Sequence, residues 1–368
     1  MKIGIYGGSF DPIHKGHIQI AKDVISELGL DKLLIVPTYQ SPFKNKSGVK
    51  TEDKINMINL VLEDKMELCL FEAKRNNISY TIDTVKYLKN KYKNDELYLI
   101  IGSDNLPKLN KWKDIETIST LTKIVAVRRS RTINKLNLKR YNGVLLKNKL
   151  YDYSSTDFKK GFSIIENEKV FSYLDPKVMN YIQEKGLYLF EIIHNSLSAR
   201  RAKHSSLTAS FAAEIAKLNG VSALKAYKAG ILHDIAKEWS VENSRNFIKM
   251  TEPELIDTPK HFLHQVCGYL WAKYVYGIKD LEILNSIKYH TSMRKDMNTL
   301  DKIIILSDKV NSIVHFKGVQ RIKKLAYENL DQAFREVIKI TYQWNIDKGV
   351  IFDKEIESIY QEYIRGEN

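Results

Sequence analysis

The stretch "IYGGSFDPIHKGH", residues 5 to 17, follows an apolar run at the start of the chain and packs three glycines, a proline and two histidines into one turn. A strand that runs through a glycine turn into a helix gathers backbone N–H groups and the positive end of a helix dipole at one spot. Such a spot suits a phosphate. Gly7 and Gly8 let that phosphate approach the main chain closely, and Ser9 and Phe10 complete the turn. His14 and His17, three apart at the helix start, share one face and can donate hydrogen bonds to phosphate oxygens. We read the pair as phosphate-binding rather than as a metal pair.

Outward from this turn, the first half of the chain alternates short apolar runs with helical stretches. The strand candidates are residues 2–7, 32–38, 66–71, 96–102, 123–129 and 143–147. They are apolar throughout or nearly so, as strands buried on both faces are. Helical segments such as "IQIAKDVISELG" and "TIDTVKYLKNKY" lie between them. This order predicts an α/β fold, a doubly wound parallel sheet with ligands at the carboxyl ends of its strands. After "PKVMNYIQEKGLYLF" (176–190) the strand-like runs vanish, and an all-α domain is expected from residue 192. Its segment "SSLTASFAAEIAKLNG" offers serines as cap candidates and ends on Gly220. The expected domains are 1–191 and 192–368.

Composition agrees with two globular domains: 368 residues, 43% of them hydrophobic. No apolar run approaches the roughly 18 residues a membrane span needs. The chain enters a strand at once without a leader-like segment, and Cys69 and Cys267 suggest no disulfide framework. A cytoplasmic protein is expected, without a membrane partner; assembly of identical copies is left open. The net charge of +14 favours polyanionic partners. No basic helix with interleaved aromatics accompanies it, so solvated lysine faces explain most of the excess and nucleic acid is not the expected partner. A nucleic-acid-binding protein with degenerate enzyme domains is the rival reading.

The opening stretch matches the GxFxPxHxGH signature of the nucleotidylyltransferase superfamily, whose histidines hold a nucleoside triphosphate; His14 and His17 fill it. A later "YSSTDFKKG" (153–161) is similar to the superfamily's SSTxIR motif, with Ser154, Ser155 and Thr156 aligned and Lys159 where the family has arginine. That replaces a bidentate donor with a point charge. Residues 36–44, 78–88 and 101–112 resemble the bacterial nicotinate-nucleotide adenylyltransferases. The resemblance implies that Thr81, Thr84 and Trp112 form a nicotinate pocket, that Asp104 takes a ribose hydroxyl and that Lys44 meets phosphate. It also implies ATP and nicotinate mononucleotide as substrates, with Mg2+ as cofactor.

The second half carries His204, His233 with Asp234, His264, His290 and Asp308 within or at the ends of amphipathic helices. Helices can converge such residues inside a bundle. The order H…HD…H…H…D resembles the HD phosphohydrolase superfamily. The words "HDIAKE", "YHT" and "ILSDKV" look closest to the HD hydrolases that split diadenosine tetraphosphate, with guanosine tetraphosphate or another nucleotide as alternatives. Two transition-metal ions, iron or manganese, are implied. Asp234 would bridge them, His204, His233 and Asp308 completing one site and His264 and His290 the other. Lys237 and Glu238 are candidates for ordering water or phosphate.

Overall fold

The computed structural model describes all residues except 40–47, 76, 152, 162–171, 313–316 and 367–368. The chain divides into two compact units that meet in sequence between Ile182 and Gln183. The division lies ahead of residue 192 because the helix Leu189–Ser196 packs its Leu189, Ile192 and Ile193 within the second unit.

Six strands form the sheet of the first unit: β1 (Lys2–Gly8), β2 (Lys32–Pro37), β3 (Met66–Leu68), β4 (Glu96–Gly102), β5 (Lys123–Val127) and β6 (Val144–Leu145). All pair in parallel, in the order β3-β2-β1-β4-β5-β6. Ile3, Ile5, Leu34, Val36, Leu97, Leu99, Ile101, Ile124 and Ala126 carry these strands into the core. Ile82, Val85 and Leu88 of the helix Thr81–Lys91 pack onto the same cluster. The strand order reverses between β1 and β4. In open α/β sheets that reversal opens a crevice outside the carboxyl ends, where ligands bind. Here β1 leads into the turn before His14, and β4 leads into Ser103 and Asp104.

The second unit is helical. Its helices Ala199–Leu218 and Ala223–Leu232 cross so closely that a Cβ on Gly230 would stand 2.8 Å from Ala209 Cα. Helices Leu263–Leu270, Leu281–Lys288 and Thr299–Val310 follow, then Val319–Glu328, Leu330–Asp347 and Lys354–Arg365. A Cβ on Gly268 would lie 3.2 Å from the His233 carbonyl. A larger residue there would push the His264-bearing helix off the His233–Asp234 turn. The expected serine cap of the long helix is displaced: the helix starts at Ala199 with Ser198 at its cap, and Ser205 is buried in its interior. Six residues of helix, Ala199 to His204, precede the sequence signal, and Ala202 and His204 among them are buried.

Candidate active sites

In the first unit, His14 caps the helix Lys15–Leu28. Its N–H donates to His17 Nδ1 at 3.2 Å, and the His17 N–H donates to His14 Nδ1 at 3.3 Å. The rings stack with centroids 3.6 Å apart. Because both Nδ1 atoms accept, both neutral rings carry their proton on Nε2. Burial, with a smaller contribution from the Arg129 charge, pushes His14 down to about 3. His14, only 3% exposed, is therefore a neutral N–H donor at physiological pH. Neutral donors beside a helix N-terminus fit an anion.

The other expected contacts of this unit divide into those that face the turn and those engaged elsewhere. Gly7 and Gly8 end β1, and buried Phe10 takes the strained φ of 43° that closes the turn. Ser154 Oγ accepts from the N–H groups of Thr156 and Asp157, both at 3.2 Å, while Ser155 Oγ donates to the Pro12 carbonyl at 2.9 Å. The serine turn is thus anchored onto the histidine turn. Lys159 reaches the same turn, its Nζ 2.9 Å from Asp11 Oδ2. Asp104 is exposed after β4, 3.6 Å from Arg129 Nη1. Trp112 is half-buried against the sheet core at the end of the turn Ser103–Lys111. Thr81 opens its helix half-exposed, whereas Thr84 lies in the interior and donates to Glu72 Oε1 at 2.6 Å. Its side chain is committed within the fold, unlike the expectation of a ligand contact. Lys44 lies outside the described residues.

In the second unit the six expected ligands come together. His204 Nε2 lies 3.2 Å from His233 Nε2 and 3.1 Å from Asp308 Oδ1, and His233 Nε2 lies 3.4 Å from the same oxygen. Asp234 Oδ2 is 3.7 Å from His233 Nε2, while Asp234 Oδ1 is 3.5 Å from His290 Nε2 and 3.8 Å from His264 Nε2. Two groups suited to a metal ion result, His204–His233–Asp234 and Asp234–His264–His290, sharing Asp234.

The protonation pattern here is the reverse of that in the first unit. The Nδ1–H groups of His204, His233 and His290 donate to the carbonyls of Asn311, Gly230 and Ile287 at 2.9, 2.7 and 2.8 Å. Their Nε2 lone pairs are thereby aimed inward, the arrangement of metal-ligating histidines. His264 Nε2 is likewise an acceptor, 2.8 Å from Lys237 Nζ. Asp234 Oδ1 is buried without a hydrogen-bond partner. A buried carboxylate oxygen faced by lone pairs is costly, and a cation resolves it; the donor set of imidazoles and carboxylates fits a first-row metal.

Sequence reasoning missed three cations. Arg201 Nη1 is 3.3 Å from Asp234 Oδ2, and Lys309 Nζ is 3.0 Å from Asp308 Oδ2; Arg129 follows β5 by the His14 turn. Arg201 stands one helical turn before His204 and Arg129 at a strand's carboxyl end, and both positions were readable signals. Of the two candidates after the HD pair, Lys237 reaches the site. Glu238 turns outward, accepting the Ser198 N–H at 2.7 Å and the Ser198 hydroxyl at 2.6 Å.

Fold and sites define a chain of two enzyme-like domains, one built to hold an anion at the switch point of a parallel sheet and one built to hold metal within a helical bundle. The cytidylyltransferase-like family matches residues 5–161, and the HD domain family matches residues 201–312. The "Probable nicotinate-nucleotide adenylyltransferase/Ap4A hydrolase" of Mycoplasma genitalium is 32% identical over 357 residues, covering 94% of this chain and 99% of that protein. The chain belongs to this two-domain family, in which a cytidylyltransferase-like domain precedes an HD domain. The "Probable nicotinate-nucleotide adenylyltransferase" of Aquifex aeolicus is 43% identical over 148 residues, 39% of this chain and 88% of its own length. A crystal structure of a "predicted HD superfamily hydrolase involved in NAD metabolism" from Clostridium acetobutylicum is 30% identical, with a TM-score of 0.44 over 49% of this chain and 96% of that one. No helix among the described residues is long and apolar enough to cross a membrane.

Proposed function

We propose that the chain is a bifunctional enzyme. The first unit transfers the adenylyl group of ATP to nicotinate mononucleotide, and the second hydrolyses diadenosine tetraphosphate. The observation that carries the reading is the family relationship along nearly the whole chain, supported by opposite histidine tautomers suited to an anion in one unit and a metal in the other.

In the first reaction a phosphate oxygen of nicotinate mononucleotide attacks the α-phosphorus of ATP. The bond from that phosphorus to the α,β-bridging oxygen breaks, and pyrophosphate leaves. No protein nucleophile is needed, so the residues act by positioning and by neutralising charge. His14 and His17 donate from Nε2 to triphosphate oxygens; Lys44, Lys159, Ser154, Ser155 and Thr156 serve the same polyphosphate. Gly7, Gly8, Ser9 and Phe10 shape its cradle. Asp104 holds a ribose hydroxyl, and Trp112 stacks on the pyridine ring beside the helix that begins at Thr81. Bound Mg2+ supplies further charge neutralisation.

In the second reaction water cuts diadenosine tetraphosphate between its second and third phosphates and gives two ADP. The six ligands His204, His233, Asp234, His264, His290 and Asp308 would hold two iron or manganese ions, which supply an activated water and a Lewis-acid clamp on phosphate. Arg201, Lys237 and Lys309 bring positive charge to the same pocket, where a polyphosphate needs it.

Mass spectrometry of products tests both halves on the full chain. ATP with nicotinate mononucleotide should yield the acid dinucleotide and pyrophosphate, and diadenosine tetraphosphate should yield ADP alone. ATP plus AMP from the second substrate would exclude symmetric cleavage, and faster turnover of guanosine tetraphosphate would reassign the hydrolase. A salt-dependent RNA complex without turnover of any of these would favour the nucleic-acid reading.

A further inference from the structure

A buried carboxylate beyond the carboxyl end of β3 links two helices. Glu72, in the short helix Phe71–Lys74, is 6% exposed. Its Oε1 accepts the Thr84 hydroxyl at 2.6 Å, while its Oε2 is buried without a hydrogen-bond partner. Ser79 Oγ accepts the Tyr39 N–H at 3.3 Å, and Tyr39 stands two residues beyond the end of β2. Burial raises the Glu72 pKa, and the nearby Thr84 and Ser79 hydroxyls work against that rise. Two further contacts bind the same pair of helices: Arg75 Nη1 lies 2.9 Å from Asp83 Oδ2, and the Phe71 ring stacks on Tyr87 at 4.2 Å.

An ionisable side chain in an interior is costly unless its bonds serve something an apolar residue cannot. Thr84 has no hydroxyl left to donate to a ligand. What its bond to Glu72 holds in place is the first turn of the helix Thr81–Lys91, whose leading N–H groups have no partner within the helix.

We propose that Glu72 is a positioning residue for the acceptor nucleotide. It fixes the first turn of the helix Thr81–Lys91 against the helix Phe71–Lys74, so that the turn's backbone N–H groups meet the ring carboxylate of the acceptor. The inference rests on the adenylyltransferase reading, and it assigns the acid preference to the backbone of that turn rather than to the Thr84 hydroxyl.

The test is steady-state kinetics of the full chain with each substrate varied in turn, for Glu72→Ala, Glu72→Gln, Thr84→Val and the double variant Glu72→Gln/Thr84→Val. Glu72→Ala and Thr84→Val should each raise KM for nicotinate mononucleotide about tenfold, the scale of one lost hydrogen bond. KM for ATP and kcat should stay within about twofold. Glu72→Gln keeps an acceptor for Thr84 and should recover most of the loss, and the double variant should be no worse than Thr84→Val alone. Equal changes in both KM values, a fall in kcat alone, or wild-type kinetics in Glu72→Ala would overturn the inference. If Glu72→Ala does not fold, Thr84→Val and the double variant decide. A wild-type enzyme that adenylylates a different acceptor overturns the proposed substrate instead, and the KM split is then read with that acceptor.

Discussion

Lys159 Nζ lies 2.9 Å from Asp11 Oδ2, an ion pair that ties the helix Ser155–Gly161 to the turn leading into His14. The family's arginine position therefore carries a cation whose first partner is a protein carboxylate. Removing one member leaves a mostly buried charge uncompensated. We predict that Lys159→Met lowers kcat/KM for ATP by about tenfold, the cost of roughly one charge-assisted bond, while Lys159→Arg retains activity because guanidinium reaches the same carboxylate. Wild-type kinetics for Lys159→Met would remove Lys159 from the site.

His17→Ala should lower kcat on the order of a hundredfold, as loss of a charge-stabilising donor does. The variant also deprives the His14 N–H of its acceptor at His17 Nδ1, so the helix start loosens. Activity equal to wild type would reject the triphosphate role of the pair.

The depressed pKa of His14 has a consequence for stability. The ordinary value is 6.5 and the folded value about 3. Between these the unfolded chain binds a proton that the folded chain does not, so folding stability falls as pH drops from about 6.5 toward 3. Chemical denaturation of His14→Gln at pH 7 and pH 5 should show a smaller loss across that interval than wild type. An identical loss in both proteins would mean that His14 titrates normally.

Metal content separates the two ligand groups of the HD unit. Asp234→Ala should remove both ions, because its Oδ2 faces His233 and its Oδ1 faces His264 and His290. His204→Ala should lower occupancy at one site and His264→Ala at the other, each leaving close to one ion per chain by elemental analysis. Two full sites in Asp234→Ala would exclude a shared carboxylate.

Glu238 accepts both the N–H and the hydroxyl of Ser198, at the start of the helix that carries Arg201 and His204. Its carboxylate is the anion at a helix N-terminus whose first turn contains no acidic residue. Glu238→Ala should therefore cost about 1 kcal/mol of stability, the usual scale of a lost cap, read by thermal unfolding. A collapse of hydrolysis at unchanged stability would return Glu238 to the chemistry.

Local pattern determined much of this protein. Mostly apolar runs between helical segments specify six parallel strands, and a strand followed by a glycine turn and two histidines specifies a turn suited to an anion, because both signals depend on neighbours a few residues apart. The H…HD…H…H…D order likewise named the six residues that converge around Asp234. The tertiary structure alone decided which nitrogen of each ring carries the proton. His14 and His17 accept at Nδ1 from one another's backbone, whereas His204, His233 and His290 donate from Nδ1 to carbonyls, so identical side chains present Nε2–H donors in one unit and Nε2 lone pairs in the other. It also decided that Thr84 points inward to Glu72, and that Lys159 meets Asp11, 148 residues away in sequence. The reason is physical: periodicity records which face a residue occupies, but a hydrogen bond depends on what the folded chain brings to within about 3 Å.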